Sequence, residues 1–324
     1  MVELSRSLIF IGGIMTQLIF SINAVLPIFI IALLGYLLKR YKFLNTNFIA
    51  GGTKFVFTVA LPCMLYQDLL ANPVSKITPL PIILAIVSTL ILVIILRISS
   101  DKLIGDPARR SAFIQGSFRG NFVLLGFALI NNISGSAGMA EASMMMAFAI
   151  PFYNIIAVLV LSESTGDAHN RHYIRKIITN PLIIATVLGV ISSLVGLKLP
   201  VIVMKPISFM SDMAIPLALI TLGASMDFEK DNNTIKLSLI ATAIKILVFP
   251  LIMVMLSIYL GIRGTDLVVL MVFFGAPAAV SSFPMAYQMG ADYKLASQII
   301  FFSTALAVIT LFIFTYSLRL LGYI

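Results

Sequence analysis

Apolar stretches of about 20 residues follow one another from end to end of this chain, and that spacing constrains the fold more than any other feature. A helix rises about 1.5 Å per residue, so about 20 residues cross the roughly 30 Å of hydrocarbon in a bilayer. With 60% of its 324 residues hydrophobic and 11% charged, the chain leaves no room between stretches for a separate soluble domain. Breaks at charged residues or at Gly, Pro and Asn clusters give ten spans: 18–38, 47–67, 78–97, 111–130, 138–162, 178–197, 201–226, 237–260, 267–287 and 293–318. The fold class expected is therefore an all-α membrane protein with ten transmembrane helices. Residues 1–17 are read as an N-terminal extension or interfacial segment, or as an upstream start before Met15. A cleaved signal peptide has less support, because its basic region would rest on Arg6 against Glu3, with no small-residue cleavage site before Pro27.

The loops set the orientation. Those after spans one, three, five, seven and nine hold Lys39, Arg40, Lys42, Arg97, Lys102, Arg109, Arg110, Arg171, Arg175, Lys176, Lys230, Lys236 and Lys294; the opposite side holds Arg6, Lys76, Lys198, Arg263 and Arg319. Thirteen against five puts the odd loops in the cytoplasm and both termini outside. The net charge of +9 is thus a topology signal and does not indicate a nucleic-acid partner. Cys63 stands alone, which excludes an internal disulfide, and His169 and His172 lie in a polar segment away from the spans.

Sliding the chain by 154 residues puts Pro27 on Pro181, Gly35 on Gly189, Phe55 on Phe209, Ala60 on Ala214, Pro62 on Pro216 and Leu65 on Leu219, with no gap from 27 to 65. Coincidences of Gly and Pro are informative in so apolar a chain. Five spans separate the copies, and an odd number of crossings inverts the second, the plan of many secondary transporters. The repeats expected are 18–165 and 166–324 within one integral membrane domain.

Span nine contains Phe273–Pro284, FFGAPAAVSSFP, with two prolines, a glycine and paired serines. Each proline removes a backbone hydrogen bond, and unsatisfied peptide groups in hydrocarbon are costly, so such a break needs protein or a wet cavity around it. Its counterpart in span four is Gln115–Ala128, QGSFRGNFVLLGFA, loosened by Gly116, Gly120 and Gly126. Those glycines also suit plain close packing of helices, and that alternative stays open. Broken helices four and nine crossing near the midplane would present half-helix N-termini and free N–H donors, which suit an anion such as a carboxylate. The substrate-binding candidates are Ser117, Asn121, Gly126, Asn154, Gly275, Pro277, Ser281 and Ser282.

Charges inside spans are expensive and so are functional candidates. Asp212, midway along span seven and four residues before Pro216, is the candidate for a carboxylate that couples transport to a proton or cation. Lys245, about 12 Å from the cytoplasmic end of span eight, balances charge or snorkels. Arg119, at similar depth in span four, either draws an anion inward or reaches the cytoplasmic phosphates. Lys54 and Glu141 sit nearer span ends, where snorkelling suffices. There is no HExxH, metal-ligand pair, P-loop or cofactor motif, and Gly135-Ser136-Ala137-Gly138, although similar to a serine-hydrolase turn, has no histidine at membrane depth. The chain is not read as an enzyme, and transport would draw on a gradient or the membrane potential.

QGSFRGN followed by GFALI, then GAPAAVSSFPMAYQMGADYKLAS, AIPLALITLGASM, NPLII and KILVFPLI, resemble the auxin efflux carrier family, whose bacterial members include malonate and malate permeases. The resemblance covers nearly the whole chain from Asn23. It implies a five-plus-five inverted repeat, a scaffold part and a mobile transport part, and a substrate site where helices four and nine cross. One departure is visible: the family has a proline in a G-x-P pattern in span four, whereas Gly126-Phe127-Ala128 has alanine, leaving glycine alone to bend that helix. The function expected is secondary transport of a small organic anion, a carboxylate such as malonate, malate or an auxin-like acid, across a bacterial cytoplasmic membrane, with a proton or Na⁺ as possible coupling ion. A homodimer is allowed, no nucleic acid, cofactor or metal is expected, and a non-transporting sensor or interaction subunit is the alternative.

Overall fold

The computed structural model describes residues 26–71, 79–122, 126–165, 177–226 and 232–324. The expected N-terminal segment 1–17 lies outside them, as do His169 and His172. Among the described residues the secondary structure is helical, with no strand beyond a single bridge between Gly120 and Ala278.

The helices are α1 (26–40), α2 (Thr46–Ala71), α3 (Pro79–Leu103), α4 (Pro107–Phe118), α5 (Phe127–Ser162), α6 (Pro181–Leu194), α7 (Val201–Ser225), α8 (Asn232–Tyr259), α9 (Gly264–Gly275), α10 (Ser282–Gln288) and α11 (Tyr293–Leu320). Six of them, α2, α3, α5 from Ile133, α7, α8 and α11, are long and apolar enough to cross a membrane, and α6 and α9 are shorter apolar helices. Polar caps set several starts. The side chains of Asn45, Asp106, Asn180 and Asp292 accept from Phe48, Ala108, Leu182 and Leu295 N–H groups, and Pro107 and Pro181 take the first helical position, where no donor is needed.

Two helices widen by one residue per turn, at Val56–Ala60 in α2 and Ile244–Val248 in α8. Each widening ends two residues before a proline, Pro62 and Pro250. A proline ring clashes with the carbonyl four residues back, here those of Thr58 and Ile246, and the wider turn relieves that clash. Leu61 and Phe249 accordingly donate five residues back, to the carbonyls of Val56 and Ile244. In α5 the expected loop between spans four and five shrinks to a corner at Gly135, whose φ of 57° and ψ of −146° suit glycine.

The helices pack in two groups. In one, α2 lies against α6 and α7, with Tyr66 donating to Ser192 Oγ at 3.1 Å. Here α1 crosses α7 in close contact: a Cβ on Gly223 would stand 1.8 Å from the Ala32 carbonyl oxygen, and one on Gly35 would stand 2.2 Å from that of Ile220. In the other group α3, α4, α5, α8, α9 and α11 surround the breaks, and α10 reaches from this group onto α2 and α7. Ion pairs tie its ends: Arg97 to Glu163 at 3.0 Å, Arg109 to Asp292 at 3.3 Å, and Arg110 to Asp101.

The outer surface is apolar and the interior holds charge, the reverse of a water-soluble bundle. Ile83, Val87, Leu90, Ile94 and Ile98 point outward along α3, whereas Lys245 and Arg119 are 1% and 6% exposed. Hydrocarbon makes the outward face costless for leucine and isoleucine.

The α1–α7 crossing is testable. Gly223→Ala should lower the melting temperature of the detergent-solubilised protein by several degrees, as overpacking costs roughly 1–3 kcal/mol. Gly51→Ala, where nothing lies within 4 Å of the added carbon, should leave it unchanged or raise it slightly.

Candidate functional site

The two breaks meet. After α4 the chain turns extended at Arg119, with φ −78° and ψ 112°, and after α9 it turns extended at Ala276, with φ −57° and ψ 141°. The two extended pieces pair antiparallel. Asn121 N–H donates to the Pro277 carbonyl at 2.7 Å, and Ala279 N–H donates to the Arg119 carbonyl at 3.1 Å. Peptide groups that each helix forfeits by breaking are thus satisfied by the other break, as a low-dielectric interior demands.

Two side chains complete this arrangement. Ser303 on α11 accepts the Ala278 N–H at 3.0 Å. Lys245, in the widened turn of α8, donates to the Phe274 carbonyl at 2.6 Å, placing a cation at the C-terminal end of the half-helix α9, where the helix dipole favours it. Gly120 makes room for that amine: a Cβ there would lie 3.2 Å from Lys245 Nζ. Lys245 does not snorkel; its charge is spent on the break.

Beside the bridge lies a cavity of about 140 Å³. Its polar corner is made by Arg119, Asn121, Asn154 and Ser281, with Asp68 of α2 also on the wall. The rest is apolar, including Met64, Leu65 and Ile215 from the α2 and α7 group and Phe122, Tyr153 and Phe273 from the other. Tyr153 and Phe273 stack at 5.3 Å, and Tyr153 Oη lies 3.3 Å from Thr89 Oγ1. A mostly apolar hollow with a few convergent polar groups, drawn from both helix groups, is the usual form of a small-molecule site.

The polar corner holds donors that the protein itself does not use up. The Arg119 guanidinium donates to Asn154 Oδ1 at 2.8 Å and to the Met285 sulfur. With its oxygen turned to Arg119, Asn154 keeps a buried Nδ2 that has no partner. Ser282, 1% exposed with an unpaired hydroxyl, does not line the cavity, although its neighbour Ser281 does.

Of the residues singled out from sequence, Arg119, Asn121, Asn154 and Ser281 gather at the cavity, and Pro277 holds the bridge. The others lie apart. Ser117 turns its hydroxyl onto the Phe113 carbonyl at 2.7 Å. Gly126 opens the start of α5 beside Phe122 and Val272, and Gly275 ends α9 against Leu311. Asp212 is exposed on the outside of α7 and does not line the cavity. Its position along the helix gave depth, and depth leaves the facing direction open. The acid on the cavity wall is Asp68, which hydropathy put one residue beyond span two, whereas α2 continues to Ala71. The helical spacing of Leu61, Met64, Leu65 and Asp68 carried that information, since residues three and four apart share a face. Arg119 turns inward and is buried instead of reaching for phosphates.

Comparison with known proteins finds transporters. The model of the family described as membrane transport protein matches residues 20–315. The chain is 27% identical over 302 residues to an uncharacterized transporter of Methanothermobacter thermautotrophicus, covering 90% of this chain and 96% of that one. It is 23% identical over 305 residues to a protein of Rhizobium meliloti named for malonate transport, covering 91% and 95%. It is also 31% identical over 139 residues to auxin efflux carrier component 3a of Oryza sativa subsp. japonica, covering 41% of this chain and 22% of that protein.

The role of Lys245 at the break can be checked by hydrogen exchange. Lys245→Met should speed amide exchange across 273–281 and 119–122 by about tenfold or more, the equivalent of losing a charge-assisted bond worth roughly 1.5–3 kcal/mol. Lys236→Met, an exposed position on the same helix, should not.

Proposed function

This chain belongs to the membrane transport protein family, the family of the auxin efflux carriers, whose members are transporters and not enzymes, and from that premise we propose that it is a secondary carrier of a small organic anion. One observation carries the reading: two helix breaks hydrogen-bond to each other at the wall of a cavity whose polar corner holds unused donors and whose remaining wall is apolar apart from Asp68. Unused donors call for an acceptor-rich ligand, and the apolar wall calls for a carbon skeleton. A small carboxylic acid in its ionised form has both. The names of relatives, one for malonate and one for auxin, lie within that class.

The mechanism follows from the division of labour around the cavity. The ligand sits between α2 and α7 on one side and the bridged breaks on the other, so movement of the break-bearing group past α1, α2, α6 and α7 carries the site from one face of the membrane to the other. The bridge, Lys245 and Ser303 move with the breaks and keep their peptide groups satisfied throughout. The helix α10 has seven residues, so its dipole is small, and side chains supply most of the attraction. Asp68, on the wall that belongs to the other group, is the coupling carboxylate in this reading, in the part first given to Asp212.

The reading includes ten spans in two inverted repeats. The 154-residue offset takes Gly35 to Gly189 and Leu69 to Gly223. Gly35 presses on α7 near Gly223, and a Cβ on Gly189 would meet Leu69 of α2 at 2.7 Å, so one contact maps onto the other, which supports the repeat. The cytoplasmic membrane, with both termini outside, is the location this reading takes from the loop charges.

Uptake into proteoliposomes tests the function. Labelled malonate, malate and indole-3-acetate should give saturable flux for at least one acid, and absence of flux for every organic anion offered would overturn the proposal. Asn121→Ala and Pro277→Ala should reduce that flux at least tenfold without preventing insertion. Asp68→Asn should abolish its dependence on a pH or Na⁺ gradient, whereas Asp212→Asn should keep it.

A further inference from the structure

Arg119 is held through both of its backbone polar groups. Its N–H donates to the Gln115 carbonyl at 3.0 Å, and its own carbonyl accepts the Ala279 N–H at 3.1 Å across the bridge. The backbone direction is therefore fixed by the crossing of the breaks, and the side chain leaves it toward the cavity that it lines. At 6% exposure Arg119 is buried.

A buried guanidinium normally faces a carboxylate, because leaving its charge uncompensated costs several kcal/mol. Among the described residues none lies within ion-pairing distance of Arg119. Its contacts are neutral: the Asn154 amide oxygen and the Met285 sulfur. A guanidinium has five N–H donors and no acceptor, so only the oxygen of Asn154 can face it, and a thioether is a weak acceptor. The consequence is local. Asn154, 1% exposed, is left with its Nδ2 buried and unpartnered, on the wall of the same cavity. The cation and the amide together offer unused N–H groups to a ligand, and Asp68 stands on the wall contributed by α2.

We propose that Arg119 is the specificity-determining residue of this carrier, reading the ligand's negative charge through a two-pronged contact to a carboxylate, with Asn154 as the positioning residue that orients the fork and adds a donor of its own. This rests on the carrier reading and deepens it. The ligand's carboxylate displaces the Met285 sulfur, exchanging a weak acceptor for a charged one. Two parallel N–H···O bonds suit the planar guanidinium and discriminate against an amide, which presents one oxygen and an N–H₂ that would confront the fork donor to donor. Lys245 has no part in this recognition, since its amine is engaged by the Phe274 carbonyl and does not line the cavity.

The test compares malonate with its uncharged isostere malonamide, by titration calorimetry on the full chain in lipid nanodiscs and by flux in proteoliposomes. The unaltered chain should prefer malonate by at least tenfold. Arg119→Gln should weaken malonate by about 10- to 100-fold, leave malonamide within about twofold, and so erase the preference, as expected for loss of a charge-assisted pair. Arg119→Lys, which keeps the buried charge and loses the fork, should recover part of it, and it supplies the same comparison if the glutamine variant does not fold. Asn154→Leu should raise the KM for malonate with a smaller change in maximal flux. A malonate preference unchanged in either Arg119 variant would overturn the assignment while leaving the carrier reading intact. Charge-selective binding that depends on Arg119 but occurs without flux would overturn the carrier reading and support this one. Failure of the unaltered chain to bind malonate would overturn the assignment, whatever other acid it carries.

Discussion

The structure turns on what happens to peptide groups where two apolar helices stop in mid-course. In water such groups would be hydrated, but in the interior of a membrane protein each needs a partner within the protein. Here most of the demand is met by mutual pairing: Asn121 N–H with the Pro277 carbonyl, Ala279 N–H with the Arg119 carbonyl. Ser303 takes the Ala278 N–H and Lys245 takes the Phe274 carbonyl. Other features depend on these four bonds. Gly120 must lack a side chain so that the lysine can reach, and α8 widens at Ile244–Val248, the turn that carries Lys245, before Pro250.

That arrangement sits in one of two groups of helices that are held together differently. The break-bearing group has its own hydrogen bonds and peripheral ion pairs, from Arg97, Arg109 and Arg110 to Glu163, Asp292 and Asp101, so it can keep its internal contacts if it shifts as a unit. In the group of α1, α2, α6 and α7, glycines let α1 and α7 cross with backbone against backbone, while Gly189 of α6 receives the Leu69 side chain of α2. Such a crossing tolerates little sliding, because a displacement of one residue brings a side chain against a carbonyl. The cavity lies on the seam between the two groups, and its polar residues come mostly from the break-bearing side.

Sequence reasoning was strong where the physics is local. Hydropathy marked apolar helices, six of them among the described residues long enough to cross a membrane, because burial in hydrocarbon acts on about 20 consecutive residues at once, and Pro277 with its serines marked the second break because proline forfeits a bond wherever it stands. It was weak where direction mattered. Asp212 and Asp68 are both acids in apolar helices, and position along the chain favoured Asp212, yet Asp212 faces outward and Asp68 faces the cavity. Ser117 reads as a donor for a ligand, but its hydroxyl bonds to the Phe113 carbonyl one turn back, a contact always available to serine in a helix.

By itself the sequence determined that this is an all-helical chain with apolar helices of membrane length, that two of its helical stretches must break, and that the chain resembles one family of carriers. Those follow from composition, helical rise and the missing donor of proline, which are properties of neighbours along the chain. Only the tertiary structure decided that the breaks satisfy one another, that Lys245 serves the backbone while Arg119 serves the cavity, and that Asp68 replaces Asp212 as the acid on the cavity wall. Each of these depends on which face of a helix meets which neighbour. That is fixed by packing between residues more than 100 positions apart, such as Arg119 with Ala279, and no window along the sequence contains both partners.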